Sequence, residues 1–426
     1  MSWQPPARPD WVQTINAGQI LPIHAVARLP LERDGLMAEA RARLGQADGG
    51  HADFGHPLFP VDEMIEALDR VLDAIDREAS LHEMGRFMTR RFLLRLLEVR
   101  LQLMAYLRAD PGVVDEPIEA PLFVAGAPRT GTTLLHALLA ADPARRAPLG
   151  WELLRPVPPP DPDPARRARD PRIEVVEREL TLPQSVVSGL LAIHVYGASR
   201  PKECLSAMSF SFRSEEFTAR YHVPSYEAWL FGEADLAPAY SMHRLVLQVL
   251  QRRTGRARWT LKSPVHLHSL AELEATYPDA RVAITHRDPA TMLASLTSLV
   301  AHLRWAHSDA VEAPALARDH VRRYEETLAR VAQDESERRP SATGRLHLRY
   351  SDLVADPGAR VGELYRFFGL DLSPAFAETL RAESERRSGR EHGDHAYDLE
   401  ALGLDRADLG RRFRAYRERF GIAEGD

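Results

Sequence analysis

FVAGAPRTGTTLLHALL, residues 123–139, decides how this chain is read. A small apolar run enters a turn that holds Gly126 and Gly131, and Thr132 and Thr133 then open an apolar, helix-forming run. The layout is strand, tight turn, helix. Backbone N–H groups at such a helix N-terminus collect anionic oxygens. The stretch approaches the phosphate-binding pattern G-x-x-x-x-G-K-[ST] but departs from it at the cation. Thr132 stands where that pattern has lysine, and Arg129 lies inside the turn. A nucleotide kinase uses the missing lysine on the β- and γ-phosphates and adds an acidic magnesium ligand. This loop offers the planar fork of a guanidinium and two hydroxyls instead.

Three more strand–turn–helix units lie downstream: ARWTLKSPVHLHSLAELEATY from 257, ARVAITHRDPATMLASLTSLVAHLRW from 280 and RLHLRYSDLVADPGARVGELYRFFGL from 345. In the second of these, Asp288 suits an N-cap and Pro289 the first helical turn. Strands alternating with helices predict an α/β fold, a parallel sheet with helices on its faces. Ligands on such sheets bind at the carboxyl ends of the strands. The segments APRTGTT, LKSP, HRDP and RYSD are therefore expected to meet in one pocket.

Residues 1–115 read as a helical N-terminal section, with apolar residues at helical spacing in VDEMIEALDRVLDAIDREASLH and MTRRFLLRLLEVRLQLMAYLRA. A proline- and acid-rich linker, ADPGVVDEPIEAP, leads into an α/β domain over 116–426. WELLRPVPPPDPDPARRARDP is expected to lack regular structure. The stretch from 174 to 257 reads as mostly helical.

The net charge of −6 argues against nonspecific nucleic-acid binding. A single cysteine, Cys204, leaves no disulfide framework within the chain and suits a reducing compartment. The N-terminus lacks a signal-peptide layout, and no apolar run approaches the ~18–20 residues of a membrane span. The expectation is a soluble, cytoplasmic protein without stable membrane insertion. The cations are almost all arginine, the only lysines being Lys202 and Lys262. A lysine kept against that bias invites a chemical reason. Lys262 follows a strand, so it is expected to face the loop's anion, where it would polarise the bridging oxygen of a leaving group. The plainer alternative is a solvated lysine at a helix start. Arg287 ends a strand and Ser295 lies about two helical turns further on. Both reach a second phosphate if that anion lies beside the helix; otherwise Arg287 pairs with a neighbour such as Asp288.

FVAGAPRTGTTLLHALL, WELLRP, LKSPVHL, HRDPATMLASL and RYSDLVADP, in that order over roughly 118–370, resemble the sulfotransferase family that uses 3′-phosphoadenosine 5′-phosphosulfate (PAPS). The likeness is to the bacterial branch with an R-T-G-T-T loop, related to the tyrosylprotein sulfotransferases. It implies a P-loop-type fold and transfer of a sulfuryl group to a hydroxyl or amine, releasing 3′,5′-ADP with no metal. By the resemblance, Arg129, Thr130, Gly131, Thr132 and Thr133 form the 5′-phosphosulfate loop, and Arg287 and Ser295 hold the 3′-phosphate. Tyr350 packs on adenine, and Lys262 sits by the bridging oxygen. Glu152 matches the position of a glutamate base in the tyrosylprotein relatives, with His194 and His266 as rivals because cytosolic members use histidine. A C-terminal lid over about 381–405 is implied, with Arg390, His392 and Tyr397 as contacts, although the cytosolic R-K-G-x-x-G-D-W pattern is not reproduced. Helices at about 160–257 would select the acceptor: a small hydroxylated metabolite, a glycan or a lipid. His392 and His395 have H-x-x-H spacing, but no metal site is expected. An ATP- and magnesium-dependent phosphotransferase and a non-catalytic nucleotide-binding scaffold are the alternatives. Oligomeric state is open.

Overall fold

The computed structural model describes residues 4–48, 53–187, 197–337, 344–388 and 399–426. Four strands, β1 (Leu122–Gly126), β2 (Thr260–Lys262), β3 (Arg281–His286) and β4 (Arg345–Arg349), form one sheet in the order β2-β1-β3-β4. Every pairing is parallel, with Val124 opposite Lys262, Gly126 opposite Thr285 and His286 opposite Arg349. All four carboxyl ends therefore share one edge, as the alternation of strands and helices predicts. β1 is buried throughout, which fits its unbroken apolar run at the centre of a parallel sheet.

Each strand tip hands the chain to helical structure. β1 leads through the quoted turn into the helix Thr132–Ala140. β2 leads to a 3₁₀ turn, Pro264–His268, and the helix Leu270–Thr276. After β3, the Asp288 carboxylate accepts the Thr291 N–H at 3.4 Å and Pro289 starts the helix Pro289–Trp305. β4 runs directly into Tyr350–Ala355 and then Pro357–Phe367.

Alternation along the strands separates two apolar layers. Leu122, Val124, Ala283, Leu346 and Leu348 pack with Leu135, Leu139 and Leu364. Phe123, Ala125, Leu261, Val282 and Ile284 face a larger core that continues into the N-terminal helices Val61–Glu78 and Glu83–Ala109. This core runs from Leu36 to Ile422, so the interior is continuous across the linker near residue 115.

The stretch 151–171 departs from expectation. Trp151, Leu153 and Leu154 are buried, and Gly150–Leu154 winds into a helical turn around them. Asp163 caps a second short helix, Pro164–Arg167, through the N–H groups of Ala165 and Arg166. The helical stretch beyond consists of Arg172–Val186, Leu205–Met208, Glu215–Arg220, Pro224–Gly232 and Ala237–Gln251. Among the described residues, no helix is long and apolar enough to cross a membrane.

Candidate active site

The turn after β1 is held in a shape that side-chain-bearing residues resist. Gly126 has φ +136° and Gly131 has φ +93°. A methyl group on Gly126 would lie 2.4 Å from Thr285 Oγ1, and one on Gly131 would lie 3.0 Å from Tyr350 Cδ2. Arg129 adopts φ +69°, a left-handed conformation that costs a non-glycine residue about 1 kcal/mol. Thr130 anchors the turn from inside: its hydroxyl donates to Ala127 O at 2.7 Å and lies 2.6 Å from Thr285 Oγ1. With the turn fixed, the helix Thr132–Ala140 points its N-terminal amides at the sheet edge.

The other strand tips close around this loop. Lys262, buried at the end of β2, has its ammonium 3.3 Å from Thr133 Oγ1 and paired with the Glu203 carboxylate. Arg287, after β3, donates to the Arg129 carbonyl at 3.1 Å and stacks its guanidinium 4.0 Å from the ring centroid of Tyr350, the residue after β4. Ser295 accepts from Arg129 Nε at 2.9 Å. Four segments distant in sequence thus meet at one point, bringing Arg129, Lys262 and Arg287 together beside the loop. The arrangement suits an anionic ligand with more than one charged group.

A cavity of about 380 Å³ opens from this point. Arg129, Gly131, Thr132, Thr133, Arg287 and Tyr350 line one end. Leu180 and Pro183 form an apolar wall with Leu296, Leu299, Val300 and Leu303 of the helix Pro289–Trp305. Beyond lies a layer of buried charge. Burial alone would raise the Glu216 carboxyl, but Arg220 (2.5 Å), Lys202 and Arg95 outweigh it and hold the group at about 2. Burial pushes the Lys202 ammonium down from its ordinary value, against the pull of Glu216 and Glu203.

Glu152 stands apart from the residues lining this cavity. It is 2% exposed; one oxygen pairs with Arg146 Nη2 at 2.5 Å and the other accepts the Leu149 N–H at 2.9 Å. A glutamate at the third helical position that reaches back to the N-cap amide is a capping residue. Glu152 is thereby held in a turn, with both carboxylate oxygens occupied. The Thr130 hydroxyl is spent inside the loop, and the residue is 1% exposed. Ser295, also 1% exposed, orients Arg129 instead of lining the cavity. His266 is a core residue, its Nδ1 2.9 Å from the Tyr240 hydroxyl and its ring edge-on to Phe123 at 5.0 Å. His194, Arg390, His392, His395 and Tyr397 lie outside the described residues. Among the described residues, no three His, Cys, Asp or Glu side chains gather as a metal site. The sequence gives Glu203 no chemical role beyond a place, with Lys202 and Cys204, in the region expected to line the acceptor pocket; only the fold brings its carboxylate to Lys262, 59 positions away.

Comparison with known proteins gives the geometry a family. Residues 121–374 match the model of the family described as "Sulfotransferase family". The omega-hydroxy-beta-dihydromenaquinone-9 sulfotransferase Stf3 of Mycobacterium tuberculosis is 27% identical over 283 residues, covering 64% of this chain and 68% of that protein. The crystal structure of sulfotransferase STF1 from Mycobacterium tuberculosis H37Rv has a TM-score of 0.76 at 33% identity, covering 90% of this chain and 98% of that one. Sulfotransferase STF9 from Mycobacterium avium gives 0.78 at 26% identity, covering 93% and 98%.

Proposed function

The chain belongs to the sulfotransferase family, and from that premise we propose that it takes a sulfuryl group from PAPS and places it on the hydroxyl of a lipid-like acceptor, releasing 3′,5′-ADP. Sulfuryl transfer itself follows from the family. The donor and acceptor are the further step. One observation carries the donor: Arg129 and Arg287, 158 positions apart, are joined at 3.1 Å beside the same loop. The loop amides and Arg129 would hold the 5′-phosphosulfate. Arg287 would meet the 3′-phosphate, the group that separates this donor from ATP. Tyr350, beneath Arg287, would offer its ring to adenine. Lys262 would stabilise charge on the bridging oxygen as it leaves.

The acceptor reading rests on the apolar wall of Leu180, Leu296, Leu299, Val300 and Leu303. A sugar would leave that wall unpaired with its hydroxyls, whereas an alkyl or prenyl chain would bury it. A relative named for a hydroxylated menaquinone acceptor agrees with this choice.

Calorimetric titration with 3′,5′-ADP, AMP and ATP, each with and without magnesium, tests the donor. The expected order is 3′,5′-ADP well ahead of AMP, with no requirement for metal. ATP binding that depends on magnesium would favour a phosphotransferase. Tight 3′,5′-ADP binding without transfer from labelled PAPS to any of a panel of sugars, phenols and prenyl alcohols would leave a scaffold.

A further inference from the structure

Glu203 lines the cavity and grips the Lys262 ammonium. Its position is set by main chain. The Lys202 N–H donates to Pro148 O at 2.9 Å and the Cys204 N–H donates to Lys262 O at 3.0 Å. These bonds lay residues 202–204 against the tip of β2, so Glu203 reaches the site from a fixed backbone. Lys262 then bridges the Glu203 carboxylate and Thr133 Oγ1, on the first turn of the anion-binding helix.

Three other carboxylates line the cavity: Glu179, Glu215 and Glu216. Glu179 pairs with Arg155, Glu215 lies 3.0 Å from His268 Nε2, and Glu216 holds Arg220 and the Ser209 hydroxyl. None of these named partners is Lys262: Arg155, Ser209 and Arg220 belong to the acceptor-side helices and their supports, and His268 closes the 3₁₀ turn after β2. His320 also lines the cavity, but burial pushes it down to about 3 and its Nδ1 lies 3.0 Å from Thr297 Oγ1. Glu203 is the cavity carboxylate that touches the group placed at the point of transfer.

Resting on the sulfotransferase reading, we infer that Glu203 is the general base for the acceptor. The acceptor O–H proton passes to the Glu203 carboxylate while its oxygen forms a bond to sulfur. The bond from sulfur to the bridging oxygen breaks, and its electron pair stays on the 5′-phosphate of the departing 3′,5′-ADP. Lys262 turns from Glu203 toward that oxygen, so the movement that neutralises the leaving group also uncovers the base. Glu203 returns its proton to water after the sulfated product departs.

The test is Glu203→Gln and Glu203→Asp, assayed with PAPS against 4-nitrophenol, 1-dodecanol and water. A base matters most for a nucleophile that holds its proton tightly. Glu203→Gln is expected to lower kcat on dodecanol and water by about 1000-fold but on 4-nitrophenol by only about 10-fold, with Glu203→Asp recovering part of the loss. Its 3′,5′-ADP affinity, which also reports a folded site, should stay within about 3-fold of wild type, because the assigned role puts the carboxylate on the acceptor O–H and not on the nucleotide. Equal losses on all three nucleophiles would mean that Glu203 only holds Lys262, and unchanged PAPS hydrolysis would remove it from the reaction; either overturns the assignment. A wild-type protein that neither binds 3′,5′-ADP nor consumes PAPS fails the donor reading instead.

Discussion

The two ends of the cavity are built on different plans. The donor end consists of four strand tips on one parallel sheet, in register, with Lys262 the last residue of β2 and Arg129, Arg287 and Tyr350 each one to three residues past a strand. The acceptor end consists of helices that converge from separate parts of the chain, Arg172–Val186, Glu215–Arg220, Pro289–Trp305 and Ala313–Glu337 among them. Main-chain hydrogen bonds fix the first. Side-chain packing and buried ion pairs shape the second. A strand tip is placed by its ladder, so a motif there carries its own geometry. A helix face is placed by what it packs against, so the same cavity wall admits many sequences.

Substitutions at the two ends should therefore fail in different ways. The largest effects belong to the donor end: Arg129→Ala and Lys262→Ala should each lower kcat by about 100- to 1000-fold with an unchanged circular dichroism spectrum, as expected for lost stabilisation of developing charge. Near-normal turnover in either variant would take that side chain out of the chemistry. Next, Arg287→Ala should reduce the preference for 3′,5′-ADP over AMP by about 10- to 100-fold, the worth of one or two charge-assisted hydrogen bonds. Equal weakening of both nucleotides would mean that Arg287 only buttresses the loop through the Arg129 carbonyl. At the acceptor end, Leu299→Ala should raise KM for a prenyl alcohol by about 10-fold, since removing apolar contacts there costs about 1–3 kcal/mol. Calorimetry should show 3′,5′-ADP affinity unmoved; a parallel loss would mean that the two ends do not act separately.

The smallest effect on activity is expected at Glu152, which belongs to neither end. Glu152→Gln should keep turnover per folded molecule within about 3-fold while unfolding about 1–3 kcal/mol more easily, because the Arg146 pair and the capping bond to the Leu149 amide are weakened. Urea melts read alongside initial rates separate the two quantities. Turnover lost at wild-type stability would return Glu152 to the reaction.

Glu152 and Glu203 show where the sequence stopped being informative. WELLRP placed Glu152 a plausible distance after the loop helix, and family likeness supplied its role. Its spacing from Leu149 is that of a capping residue, a local signal that competed with the functional one. Glu203, between Lys202 and Cys204, has no motif around it. Its role depends on the Cys204 amide meeting the Lys262 carbonyl, a contact across 58 positions that no local pattern encodes. Thr130 shows the same limit within the loop itself: three threonines read alike in R-T-G-T-T, yet left-handed turns at Arg129 and Gly131 send the first inward to Thr285.

The sequence by itself determined the four strand–helix units, the glycine-bearing anion loop and the side chains Arg129, Lys262, Arg287 and Tyr350 near the strand tips, because short-range periodicity and turn chemistry specify those locally. Only the tertiary structure decided which carboxylate faces the cavity, which hydroxyl points into it and how the acceptor wall is assembled. Those outcomes depend on which side chains lose water together when distant helices pack, a cooperative burial that no single stretch of chain contains.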